Sequence, residues 1–175
     1  LGGGITIGAH QCGRVIDCTH GLSEGPFTPE RAGALPSMDL IDLACSGKLD
    51  KKHLQGRLTC QGGLAAYLGT TDARDVQNMI KDGNEKAKLT FEAMAYQISK
   101  DIGAMAVVLK GHIDGIIITG GLAQSKILAD WIIERVGFLA PVFVYPGEDE
   151  MTALAGGGLR GLRNEEKMKI YEQED

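Results

Sequence analysis

Two hydrophobic periods alternate along the chain, and each change of period marks an element. ITIGAH (5–10) and GRVIDC (13–18) are short, rich in β-branched residues and separated by Gln11-Cys12, which predicts a hairpin. Between 85 and 110 the apolar positions are Phe91, Met94, Ala95, Ile98, Ile102, Met105, Val108 and Leu109. Spacings of three and four place them on one buried stripe of a long helix that Asn84 caps. Gly103, Ala104 and Ala106 are small enough for a neighbour to pack closely there. DGIIIT (114–119) and PVFVY (141–145) are continuous apolar runs, expected as strands buried on both faces. GGLAQSK leads into a helix through residue 136, with Trp131 and the Leu128, Ile132, Val136 row as core or interface. PGEDE opens a last helix reaching about Arg163. Residues 85–163 thus read α-β-α-β-α, the pattern of a parallel portion of an α/β sheet. The hairpin would add antiparallel strands and make the sheet mixed, with helices flanking it.

The punctuation between these elements carries information too. Residues 19–37 hold three Gly and three Pro, and a loop of that length tends to be functional when ordered. Ser37 is expected to cap a short helix over 38–46, and Asp72 another that ends at Gly83. Residues 47–71, including Gly62-Gly63, follow no clear period. The polar tail 164–175 reads as a helical extension or frayed end.

Composition narrows the class. At 175 residues the chain can bury a core as one domain. A net charge of −5 without a Lys/Arg stripe argues against nucleic acid as a partner. No apolar run approaches the ~18 residues that span a membrane, and the first residues lack the basic n-region and long apolar core of a signal peptide. The four cysteines form no C-x-x-C pair and read as reduced thiols of a cytoplasmic protein.

Glycine is the outlier, at 25 residues, and it clusters at corners: Gly2-Gly3-Gly4, Gly120-Gly121 and Gly156-Gly157-Gly158. Main-chain N–H groups at such corners can cradle phosphate. Taken singly, each corner reads as a tight turn, and Gly156–Gly158 as close helix packing. Several corners on one α/β sheet favour a nucleotide. Neither G-x-G-x-x-G nor G-x-x-x-x-G-K-[ST] is completed, which disfavours dinucleotide and P-loop folds. Gly21-Leu22-Ser23-Glu24-Gly25 matches G-x-S-x-G, but Pro26 and Pro29 deny it the helix of a nucleophile elbow. Arg31, bracketed by Pro29 and Pro36, could fork onto phosphate or carboxylate, or anchor its loop through Glu30 or Asp39; the residues alone leave both open. Glu148, Asp149 and Glu150 at a helix start complement the helix dipole, or hold Mg²⁺. The histidines show no metal spacing.

Taken together, LGGGITIGAH…GRVID, EGPFTPERAGALP, IIITGGLAQSK and APVFVYPGEDEMTALA resemble butyrate kinases, of the acetokinase branch of the actin-like ATPases. The resemblance runs from residue 1 to about 163. It implies the C-terminal, ribonuclease H-like domain of a two-domain enzyme with ATP in the cleft and the N-terminal half absent, so that the chain starts inside a phosphate-binding segment. It implies reversible phosphoryl transfer from ATP to a short-chain carboxylate, giving an acyl phosphate, and a homodimer or higher oligomer. By motif, Gly2, Gly3 and Gly4 would line the β/γ-phosphates, and Thr119, Gly120, Gly121 and Leu122 would approach the adenosine. Arg31 would contact the transferring group. Glu150, with Glu148 and Asp149 as near alternatives, would position Mg²⁺. Competing readings are a non-catalytic nucleotide-binding or dimerisation module of this fold, and a hydrolase using Ser23.

Overall fold

The computed structural model describes residues 1–147 and 149–167. The hairpin forms as expected. β1 (Gly8–Gln11) pairs antiparallel with β2 (Arg14–Cys18) through a Cys12-Gly13 turn with both φ positive, at 50° and 75°. That turn twists with the strands, as two-residue hairpins require. A run of helices follows: α1 (Ser37–Cys45), α2 (Lys51–Thr59), α3 (Gly63–Leu68) and α4 (Ala73–Lys81). Next come α5 (Glu85–Val108), β3 (Ile116–Gly120), a 3₁₀ turn over Gly121–Gln124, α6 (Lys126–Val136), β4 (Val142–Pro146) and α7 (Glu150–Leu162).

The long helix organises the core through its largely apolar stripe, which also buries Thr90 and Ser99 and which Val108, expected on it, leaves for solvent. Phe91, Met94, Ala95 and Ile98 are buried with Leu64 of α3, Val76 of α4 and Leu128, Ile132 and Val136 of α6. Phe91 meets Trp131 edge to face, with centroids 6.1 Å apart. Each such buried side chain contributes roughly 1.5–3 kcal/mol. Asn84 caps α5 by accepting from the Ala87 N–H, and Ser125 caps α6. Asp72 caps α4, and the Arg74 guanidinium beside it holds its carboxyl down at about 2.

Several expectations are corrected. Pro36, not Ser37, precedes α1, and no side chain caps that helix. Residues 47–71 hold two helices. α2 buries nothing and starts at Asp50, which accepts from the His53 N–H. The apolar strands are not buried on both faces: Ile116 and Ile118 point inward, whereas Ile117 is 67% and Tyr145 59% exposed. Gly156–Gly158 make no close helix packing: a Cβ on Gly156 or Gly157 would meet only the Arg160 guanidinium of the same helix, and one on Gly158 would meet open space. Residues 164–167 are not helical, and 168–175 lie outside the described residues.

The strands fall into two ladders, β1–β2 antiparallel and β3–β4 parallel, rather than one continuous mixed sheet. Residues 1–7, which run between the ladders, form no strand.

Candidate functional site

The first glycine corner and the Arg31 loop are built as one unit. Thr28 is buried, and its hydroxyl ties them together: it donates to the Gly3 carbonyl (2.6 Å) and accepts from the N–H groups of Glu30 (3.2 Å) and Arg31 (2.9 Å). From behind, the start of α3 clasps the same loop. The N–H groups of Gly62, Leu64 and Ala65 donate to the carbonyls of Glu30, Thr28 and Pro29, and Ala32 donates to Leu58. The clasp demands glycine at 63. Its φ is +54°, and a Cβ there would run into the Thr28 and Arg31 carbonyls. This is the role of the Gly62-Gly63 pair that has no period in the sequence.

So held, Arg31 reaches across Gly4, where any Cβ would collide with the guanidinium. Its Nη1 donates to the Gly21 carbonyl (2.8 Å), while its Nε is buried with no partner. Among the described residues Arg31 makes no ion pair, so the Glu30 or Asp39 anchor is not observed. A buried, unsatisfied guanidinium N–H is costly, and a group kept so is poised for an anion.

The second corner meets the first. Gly120 has φ +96°, and a Cβ there would overlap the Leu1 main chain. The Leu1 amine donates to the Thr119 carbonyl (2.6 Å), and Leu122 N–H donates to the Leu1 carbonyl (3.0 Å). Gly120 and Gly147 exchange N–H···O bonds of 3.2 and 3.3 Å, which brings the start of α7 alongside. The result is an open cleft of about 590 Å³ lined by Gly2, Gly3 and Gly4, Thr119 and Gly120, and Gly147, Asp149 and Ala153, with Leu1 and Thr6 beside them.

Of the site residues expected from sequence, Gly2, Gly3, Gly4, Thr119, Gly120 and Asp149 are thus brought to one cleft. Arg31 stands next to it. Gly121 opens the 3₁₀ turn and Leu122 buries its side chain in the core, so neither lines the cleft. Asp149 precedes α7 without capping it by its side chain. Glu148 lies outside the described residues, as does the side chain of Glu150. Sequence reasoning missed Thr28, Gly63 and Gly147; only a Gly after Pro146 signalled the last.

Ser23 does not sit on an elbow. It lies in an exposed turn with Oγ 3.0 Å from His20 Nδ1, and Glu24 takes the His20 main-chain N–H rather than orienting the ring. Behind it, burial raises the Asp101 carboxyl above its ordinary value, with Glu24 adding to the effect. No group of three or more His, Cys, Asp or Glu able to hold a metal occurs among the described residues. No helix there is long and apolar enough to cross a membrane.

A glycine-lined cleft bordered by a helix start and an adjacent arginine, on an α/β scaffold, has the chemistry to suit an anion. The chain superposes on an acetate kinase of Porphyromonas gingivalis with a TM-score of 0.80 at 22% identity, covering 91% of this chain and 47% of that one. It superposes on a propionate kinase of Francisella tularensis with a TM-score of 0.77 at 20% identity, covering 86% and 45%. Residues 1–141 match the acetokinase family, and the chain belongs to it. It is 53% identical over 171 residues to a probable butyrate kinase 2 of Caldanaerobacter subterraneus subsp. tengcongensis, and 49% identical over 172 residues to butyrate kinase 2 of Clostridium acetobutylicum. Each alignment covers 98% of this chain and 48% of the relative, so the chain spans about half the length of these proteins.

Proposed function

We propose that this chain is the nucleotide-gripping, C-terminal half of a short-chain carboxylate kinase, residues 1–163 forming the domain. The whole enzyme would phosphorylate butyrate or a branched analogue from ATP, reversibly. The observation that carries this reading is the convergence of Gly2–Gly4, Thr119-Gly120 and the start of α7 on one cleft, with the unpartnered Arg31 Nε beside Gly4. The names of the close relatives support the acid class.

In this reading the bare main chain at Gly2–Gly4 grips the β- and γ-phosphates, and the Thr119-Gly120 corner, the part of that segment that lines the cleft, approaches the adenosine. The substrate carboxylate is already ionised at neutral pH and needs no base. Its oxygen attacks the γ-phosphorus in line as the bond to the β–γ bridging oxygen breaks, and ADP leaves. Arg31 takes up charge on the transferring phosphoryl group. Asp149 lines the cleft, the one acid among the described residues that does, and it would hold an Mg²⁺ together with phosphate oxygens, an ion that would neutralise charge on the triphosphate; Glu150 and Glu148, its neighbours in sequence, are the other candidates. The cleft is open, so the chain alone is expected to bind nucleotide weakly and turn over negligibly.

Titration calorimetry of Mg-ATP into the 175-residue chain tests the grip. Trapping acyl phosphate as hydroxamate, from the chain alone and from the chain joined to the N-terminal half of a relative, tests the reaction. Binding without product in the joined enzyme would favour a non-catalytic nucleotide module, and absence of binding in both would refute the reading.

A further inference from the structure

Gln97 is a half-buried amide on α5, set in the sequence between Met94 and Ile98, both buried in the core. Its Oε1 accepts from the Phe27 N–H at 3.0 Å. Phe27 is itself enclosed. It is 6% exposed, its ring meets Tyr67 of α3 edge to face with centroids 5.9 Å apart, and Gly33 folds over its main chain so closely that a Cβ there would strike the Phe27 nitrogen. A donor held in such a place is costly to leave without an acceptor, and Gln97 supplies one.

Arg31 follows four residues later, and the chain between is one stiff turn. The Thr28 N–H donates to the Arg31 carbonyl at 3.0 Å, the Thr28 hydroxyl takes the N–H groups of Glu30 and Arg31, and Pro29 fixes its own φ. The Ala34 N–H closes the loop onto the Gly25 carbonyl at 2.9 Å. A displacement of Phe27 is therefore carried to Arg31. The loop's other ties go to Gly3, to Gly21, to the Leu58 carbonyl of α2 and to the start of α3, and they fix the parts of one wall to each other. Among the described residues Gln97 is the one residue of α5 that hydrogen-bonds this loop. The same helix is the frame on which β3 packs through Ile116 and Ile118, and with β3 the Thr119-Gly120 corner. Apolar packing of Phe27 and Leu64 on that frame is non-directional and permits sliding, whereas a hydrogen bond has a preferred length and angle.

We infer that Gln97 is a positioning residue: through the Phe27 N–H it sets where Arg31 stands at the cleft. It touches no reacting atom itself. Its bearing on catalysis rests on the kinase reading; its hold on Arg31 does not. Three substitutions separate the possibilities. Gln97→Met keeps the length and removes the oxygen acceptor, Gln97→Ala opens space for water at the Phe27 N–H, and Gln97→Glu keeps an oxygen in place.

The first measurement is the ¹⁵N–¹H spectrum of the 175-residue chain, which needs no nucleotide. The Met and Ala variants should shift the Arg31 Nε–H signal, and Phe27 amide exchange should quicken by roughly tenfold or more. The Glu variant should leave both as they are. An Arg31 signal that stays put in Met and Ala, or that moves equally in all three, would overturn the inference. The second measurement is kinetic, in the joined two-domain enzyme. Gln97→Met should lower kcat by roughly tenfold with little change in KM, and Gln97→Glu should restore it. In an Arg31→Ala background the same Met substitution should cost less than about twofold, because the group it positions is gone. Additive losses in that double variant would mean that Gln97 acts on stability or elsewhere, and the inference would fall. An Arg31→Ala enzyme with full activity would instead remove the role given to Arg31 in the reaction, and the spectra alone would then decide whether Gln97 places it.

Discussion

The two sides of the cleft are built on opposite plans. On one side the Arg31 loop is clasped by α3, tied to Gly3 through Thr28 and pinned to α5 where the Phe27 N–H donates to Gln97 Oε1. On the other side α7 starts from the Gly147 corner and buries none of its described residues. Met151, Leu154 and Leu162 are each more than two-thirds exposed, and three consecutive glycines lie within the helix. One wall is over-determined by tertiary hydrogen bonds; among the described residues the other is tied at its start by the exchange between Gly120 and Gly147. The difference teaches where this cleft is preformed: the arginine and first glycine corner are set before any ligand arrives, while the helix side is free to adjust. Such an adjustable side is what closure over a ligand draws on.

The most damaging way to break the contrast is Gly63→Ala. The added methyl meets the Thr28 carbonyl in a backbone region that L-residues avoid. A loss on the order of 3 kcal/mol or more is expected in urea unfolding, because the clasp must open. A loss under ~0.5 kcal/mol would mean the loop has slack and the rigid side is not rigid. Next in size is Arg31→Ala in the joined two-domain enzyme. It removes charge from the transferring group and should lower kcat by ~10²-fold or more with a smaller change in KM. If neither constant moved, Arg31 would serve only as the strut to Gly21.

How much of this contrast the sequence displays depends on whether its causes are local. The α5 stripe and its Asn84 cap are local, and they emerge from spacing alone. So do the hairpin and the parallel β3–β4 pair. The exposed faces of β3 and β4 do not, because a continuous apolar run reads the same whether one face or two are covered. α2 is invisible because KKHLQGRLT buries nothing and so has no stripe; only Asp50 announces it. At the site, Gly2–Gly4, Gly120 and Arg31 are legible as bare backbone and a fixed charge. Thr28 and Gly63 are not, since each owes its role to a segment distant in sequence that the fold lays against it.

Thr28 sharpens the comparison on a finer scale. Thr28→Val keeps the shape but strands the Gly3 carbonyl and two N–H groups, a cost of ~1–3 kcal/mol if no water enters. Thr28→Ser keeps the hydroxyl and should recover most of it. In the joined enzyme, the Val variant should lower kcat as Arg31 drifts from Gly4, and Ser should rescue it. Equal defects in Val and Ser would point to lost packing by the methyl instead.

The smallest effect expected has the opposite sign, and it comes from the loose side. Gly158 lies within α7 with open space where its Cβ would point. Alanine there costs no collision and removes backbone entropy from the unfolded chain, so Gly158→Ala should stabilise by ~0.5–1 kcal/mol. The same substitution that wrecks the clasp at residue 63 would therefore improve α7, a reversal that follows from tertiary contact rather than from glycine itself. Urea midpoints of the two variants, measured side by side, check it. Should Gly158→Ala destabilise, α7 must pack against something through its glycine face, and the description of that side as unanchored would have to be abandoned.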